Sequence, residues 1–127
     1  MVQFTQRNGR RCSTAVAYLH PAVGRGNVEA LTDALATRVL FEGGRTAGVE
    51  ILRDNNLETL RAEREVIVCA RAYHSPHLLL LSGLGPADEL RALGIEPAAE
   101  QSVGRNLLFG QGAEGEFSKF AVTTTYE

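Results

Sequence analysis

Ala47, Val49 and Ile51 alternate with Gly48, Glu50 and Leu52, the two-residue period of a strand whose side chains point to opposite faces. A preceding strand is predicted over Ala36–Phe41, with Val39 and Phe41 on one face and Arg38 and Leu40 on the other. A returning strand is predicted over Leu57–Ala62. Gly43-Gly44 supplies the backbone freedom for the first reversal, and Asp54-Asn55-Asn56, all turn formers, supplies the second. Together these strands make an antiparallel meander, a unit that needs its apolar face covered to be stable. Upstream, Ser13–Leu19 reads as a short alanine-rich helix ended by His20 and Pro21. Gly24–Asn27 reads as a turn, and Val28–Thr32 as a short strand.

The pattern changes at Val66–Ala70, a continuous apolar run as expected of a central strand buried on both faces. A helix is predicted to follow, with Ser75 at its N-cap and Pro76 at its first position, where a missing N–H costs nothing. Leu78–Leu81 would pack this helix inward and Ser82-Gly83 would stop it. Pro86 opens a second short helix, ended by Gly94. Val103–Leu107 reads as a loop, and Leu108–Glu127 becomes Gly-rich and then Thr-rich, with weak alternation only.

A chain of 127 residues, 44% hydrophobic and 22% charged, suits one globular domain or part of one. Neither Val66–Ala70 nor Leu78–Leu81 approaches the length needed to span a bilayer. No secretory pattern opens the chain, so a cytoplasmic setting is expected. Cys12 and Cys69 are too few for a disulfide framework, and both are expected as free thiols, Cys69 buried in its strand. The formal charge of −2 is uneven: Arg7, Arg10, Arg11 and Arg25 precede the first acid. A solvated basic edge explains them, and without aromatic stacking residues no nucleic-acid partner is expected.

A strand leading into a helix N-terminus is a sound place for an anionic cofactor group. The segment Arg64–Ile95, REVIVCARAYHSPHLLLLSGLGPADELRALGI, resembles a signature of the glucose-methanol-choline (GMC) family of FAD-dependent oxidoreductases. The matching residues are Cys69, Ala70, Ala72, Ser75, Pro76, Leu78, Leu79, Ser82, Gly83, Leu84 and Gly85. Gln6–Ala22, Asn27–Ile51 and Ser102–Leu107 are similar to further stretches of the same family in the same order. The resemblance implies an α/β fold: a partial FAD-binding Rossmann-like domain over residues 1–107, with a small antiparallel β-meander, a buried strand and short helices following it. Residues 108–127 are expected to form a divergent or poorly ordered tail.

The complete family enzyme oxidises a small-molecule alcohol with FAD. The resemblance implies cofactor contacts at Ala36 beside the adenine, at Ala70, Arg71, Ala72 and Ser75 near the dinucleotide or flavin, and at Gly104, Arg105 and Asn106 in a closing loop. Arg71 stands where the family pattern has glycine; an arginine there could point outward or pair with a phosphate, but steric conflict with the ligand is the sharper expectation. Leu108-Phe109-Gly110 departs from the family's Gln-Asp-His. The GxGxxG turn for the pyrophosphate and the family's distant catalytic histidine have no counterpart: His20, His74 and His77 read as structural or surface residues. No catalytic residue and no metal site are assigned, and the sequence reads as an internal piece of the N-terminal FAD-binding region that is inactive alone. A second reading keeps it as a non-catalytic remnant or split-protein piece that associates with a partner without binding flavin itself.

Overall fold

The computed structural model describes residues 5–105. Two compact units divide the chain, Met1–Asp33 and Ala34–Glu127.

In the first unit, β1 (Gln6–Arg7) and β2 (Arg10–Arg11) form an antiparallel hairpin. Asn8 and Gly9 both have positive φ, 52° and 71°, which the tight turn of a two-residue hairpin requires. The expected helix differs in kind. A π-helical segment, Ala15–Leu19, runs directly into α1 (His20–Gly24). Pro21 does not end it, because it falls in the first turn of α1, where a proline's missing N–H is harmless. Arg25-Gly26 ends it, with Gly26 at φ 76°. Val28–Thr32, expected as a strand, has no regular structure; its residues find no ladder partner among the described residues.

The second unit is built on a three-stranded meander, β3 (Leu35–Glu42), β4 (Arg45–Arg53) and β5 (Asn56–Arg61). Both reversals fall at the expected residues, with positive φ at Gly43 and Gly44 and at Asp54 and Asn55. The β3–β4 register shifts between Ala36 and Arg38 and again between Leu40 and Phe41. Each shift is a bulge, which bends the strand and re-aims its side chains. Gly48 lets β4 and β5 approach closely: an added Cβ there would stand 2.2 Å from the Leu60 carbonyl oxygen.

α2 (Arg71–Leu81) packs on β3 and is followed by β6 (Leu84–Gly85), α3 (Ala87–Ala92) and β7 (Ala99–Glu100), β6 and β7 pairing in parallel. Gly94, at φ 74°, closes α3: its N–H donates to the Arg91 carbonyl and that of Ile95 to the Leu90 carbonyl, the paired bonds of a glycine-terminated helix. Val39, Ile51, Leu78, Leu79, Leu84 and Leu90 form the core of this unit. Meander and short helices together give the expected α/β class.

Three expectations for this unit are corrected. Val66–Ala70 forms no strand and belongs to no sheet among the described residues. Val66, Val68 and Ala70 are half-buried while Ile67 is 74% exposed, so the run shields one face only and finds no ladder partner among the described residues. Cys69 is consequently exposed; both thiols are free, as expected. The helix starts at Arg71, four residues before Ser75, which is 5% exposed on the inner face. Pro76 lies inside it and forgoes one bond to the Ala72 carbonyl, a loss that packing of Leu78 and Leu79 outweighs. Leu81, expected inside, is 43% exposed.

Candidate functional site

Two stripes run along α2. Ser75, Leu78, Leu79 and Ser82, spaced three and four residues apart, turn toward the core. The adjacent stripe, Arg71, His74, His77, Leu78 and Leu81, lines an open cleft of about 830 Å³. Facing it are Ala34, Leu35, Ala36 and Thr37 from the start of β3, with Cys69 and Ala70 at one end. The volume lies in the range of small-molecule and cofactor sites, roughly 300–1,000 Å³. The alanines leave room for a flat group close to the backbone. Among the described residues no aspartate or glutamate lines the cleft, and Arg71 is the one fixed charge on its walls.

The β3 wall is held by the bulge at Thr37. The Thr37 hydroxyl donates to Oε1 of Glu50 at 2.8 Å and reaches the Glu50 carbonyl at 3.1 Å, while Arg38 donates to Oε2 at 3.0 Å. The Thr37 hydrogen bond, with the Arg38 hydrogen bond behind it, holds the Glu50 carboxyl below its ordinary value of 4.5, against a smaller opposing effect of burial.

The α2 wall is tied to β3 by Ser82. Its hydroxyl accepts from the Val39 N–H at 2.7 Å and donates to the Leu78 carbonyl at 2.6 Å. β3 is an edge strand, so the Val39 N–H faces away from β4's ladder, and Ser82 satisfies it. One side chain thus joins the helix end to the middle of the strand that forms the opposite wall.

At the head of the helix, Arg71 has φ 67°, in the left-handed region that costs an L-residue about 1–2 kcal/mol and glycine nothing. The turn at Arg71 thus keeps a geometry suited to glycine and places an arginine in it.

Ala36, Ala70 and Arg71, assigned as cofactor contacts from sequence, come together on this cleft. Ala72 and Ser75 do not line it, since the helix begins earlier than expected and turns both away. Gly104 lies beside Leu80. Arg105 pairs with Glu89 at 2.5 Å and lines a separate pocket of about 270 Å³ with Pro86, Glu100, Gln101 and Ser102. Asn106 lies outside the described residues, as do Leu107 and the 108–127 tail. Thr37 and Ser82 were not singled out as site residues. A hydroxyl beside Ala36 and a serine seven residues after Ser75, on the same helical face, were the available signals. Among the described residues no group of three His, Cys, Asp or Glu is placed to hold a metal.

A cleft between a bulged strand and a helix, mostly apolar and without an acid on its walls among the described residues, suits a ligand-facing surface of an α/β protein. A family model described as GMC oxidoreductase matches residues 1–109. The chain is 48% identical over 108 residues to oxygen-dependent choline dehydrogenase of Sinorhizobium medicae, covering 84% of this chain and 20% of that protein. It is 45% identical over 107 residues to human mitochondrial choline dehydrogenase, covering 84% and 18%. Among solved structures, pyridoxine 4-oxidase from Mesorbium loti superposes with a TM-score of 0.66 at 35% identity, over 75% of this chain and 19% of that one. An FAD-dependent oxidoreductase from Chaetomium thermophilum gives 0.62 at 28% identity, over 65% and 15%. The chain belongs to the GMC oxidoreductase family and corresponds to its N-terminal FAD-binding region. It spans about a fifth of the length of these relatives. Among the described residues no helix is long and apolar enough to cross a membrane.

Proposed function

We propose that the chain supplies one wall of the FAD site of an oxidoreductase that acts on the CH–OH group of a small alcohol. The carrying observation is the cleft itself: Ala36, Ala70 and Arg71, assigned to the cofactor from sequence, converge on one acid-free surface. The fit is that of a wall for part of a dinucleotide. Ala34, Ala36 and Ala70 admit a flat ring against the backbone, Arg71 offers a cation to a phosphate, and Thr37 stays bonded to Glu50. A bound flavin would supply the redox chemistry by accepting hydride from the alcohol carbon. The residues of this chain bind and orient; no base for the alcohol proton is assigned among them. Choline, named for the dehydrogenase relatives, is the first alcohol to test.

To test the proposal, the 127-residue chain is purified, FAD is added, and visible flavin absorbance is followed through size exclusion. Flavin co-eluting with the chain supports the assignment. A folded chain that neither retains nor titrates with FAD overturns it for this polypeptide.

A second reading is association with further polypeptide of the same enzyme, without flavin binding by this chain itself. The run Val66–Ala70, which joins no ladder among the described residues and leaves Ile67 74% exposed, favours it, because such a segment can still pair through its main chain. It predicts flavin uptake only after the rest of a family enzyme is added.

A further inference from the structure

Arg38, Arg53, Arg61, Arg91 and Arg105 each pair with a carboxylate. Arg71 pairs with no carboxylate among the described residues, and neither do Arg7, Arg10, Arg11, Arg25, Arg45 and Arg64; what sets Arg71 apart is that it is held at φ 67° and lines a cleft with no acid on its walls among the described residues. An unpaired guanidinium in a strained backbone position beside a cavity is a reason to look for its partner in a ligand. The partner must be an anion, and the fork of guanidinium donors fits the oxygens of a phosphate better than a compact point charge does. His74 and His77, on the same stripe of α2, add ring N–H donors beside it. The remaining walls, Ala34, Leu35, Ala36, Ala70, Leu78 and Leu81, are apolar and suit a ring system, not a second charge.

We propose that Arg71 makes this cleft selective for a phosphorylated nucleoside, the guanidinium binding the phosphate while the alanine-lined end takes the ring. The proposal rests on the cleft facing the nucleotide part of the cofactor, and it adds what decides affinity there: the negative charge of the phosphate, met by the Arg71 guanidinium. The probes are AMP and adenosine, titrated calorimetrically into the full chain. AMP binds at least about tenfold more tightly than adenosine, as one charge-assisted pair predicts, and added salt weakens AMP alone. In R71A that preference collapses to about one, and R71K keeps part of it. R71G, which suits the backbone, carries the same expectation as R71A should R71A fail to fold. Equal affinities for AMP and adenosine, or a preference that survives R71G, overturn the proposal. FAD retained without an AMP preference sinks the phosphate role and leaves the FAD wall standing; an Arg71-dependent AMP preference without FAD uptake does the reverse. Binding of none of these ligands overturns both.

Discussion

Replacing Ser82 with alanine removes one oxygen atom and breaks two hydrogen bonds that join α2 to β3. The Val39 N–H is the group left most exposed to loss. Val39 is 5% exposed, its strand is at the sheet edge, and water cannot readily replace the hydroxyl. An unsatisfied buried donor costs about 1–3 kcal/mol. The Leu78 carbonyl loses a donor but keeps the Ser82 N–H at 3.1 Å, so it adds little. A loss of about 2 kcal/mol is expected, a large share of the stability of a domain this size. Urea denaturation followed by circular dichroism should show a lower midpoint with an unchanged slope, and the Val39 amide should lose hydrogen-exchange protection more than the amides of β5. S82T, which keeps the hydroxyl, should recover most of the loss. A midpoint for S82A within about 0.5 kcal/mol of the parent, with Val39 still protected, would refute the reasoning.

G48A should be more damaging, by about 3 kcal/mol, since the added methyl would lie 2.2 Å from backbone and not from a movable side chain; urea midpoints of the two variants give the order. At position 71, glycine should be more stable than alanine by about 1 kcal/mol, because φ 67° penalises any Cβ; thermal melts of R71G and R71A compare them directly, and equal midpoints would remove the strain argument. The Glu50 carboxyl has its value lowered on folding, so its stabilisation is present above the ordinary 4.5 and is lost as pH falls through the depressed folded value. E50Q should therefore be less stable than the parent at neutral pH, with the gap closing in acid, which a pH series of denaturation curves reads out.

The meander was legible because its signals are local. Gly43-Gly44 and Asp54-Asn55 demand positive φ, and a two-residue period runs between them. Asn8-Gly9 is the same kind of signal and announces the first hairpin, yet strands of two residues carry no period to draw notice. The apolar run at Val66 misled for a physical reason: continuous apolarity shows that a strand can be buried on both faces, not that neighbours are present to bury it. Ser75-Pro76 misled differently, as a good helix start that tertiary packing overrode, so the α2 contacts expected at Ala72 and Ser75 turned inward. Ala36, Ala70 and Arg71, which line one cleft, were assigned to the cofactor through family resemblance alone, since an alanine has no chemistry of its own to show. Thr37 and Ser82 act through the Glu50 carboxyl and the Val39 N–H, partners 13 and 43 residues away, which no local pattern reveals.

The run Val66–Cys69 also bears on how the chain behaves in a tube. Its first three residues are β-branched, it carries no charge and no proline, its backbone has no ladder partner among the described residues, and Ile67 is 74% exposed. Such a segment is a template for strand addition between molecules. Glu63, Arg64 and Glu65 stand immediately before it and Arg71 two residues after it as charged gatekeepers, yet Ile67 stays exposed between them. Aggregation at high protein concentration should therefore begin here, and I67K, which places a charge on the exposed side without touching the core, is the substitution to make before any ligand titration is attempted.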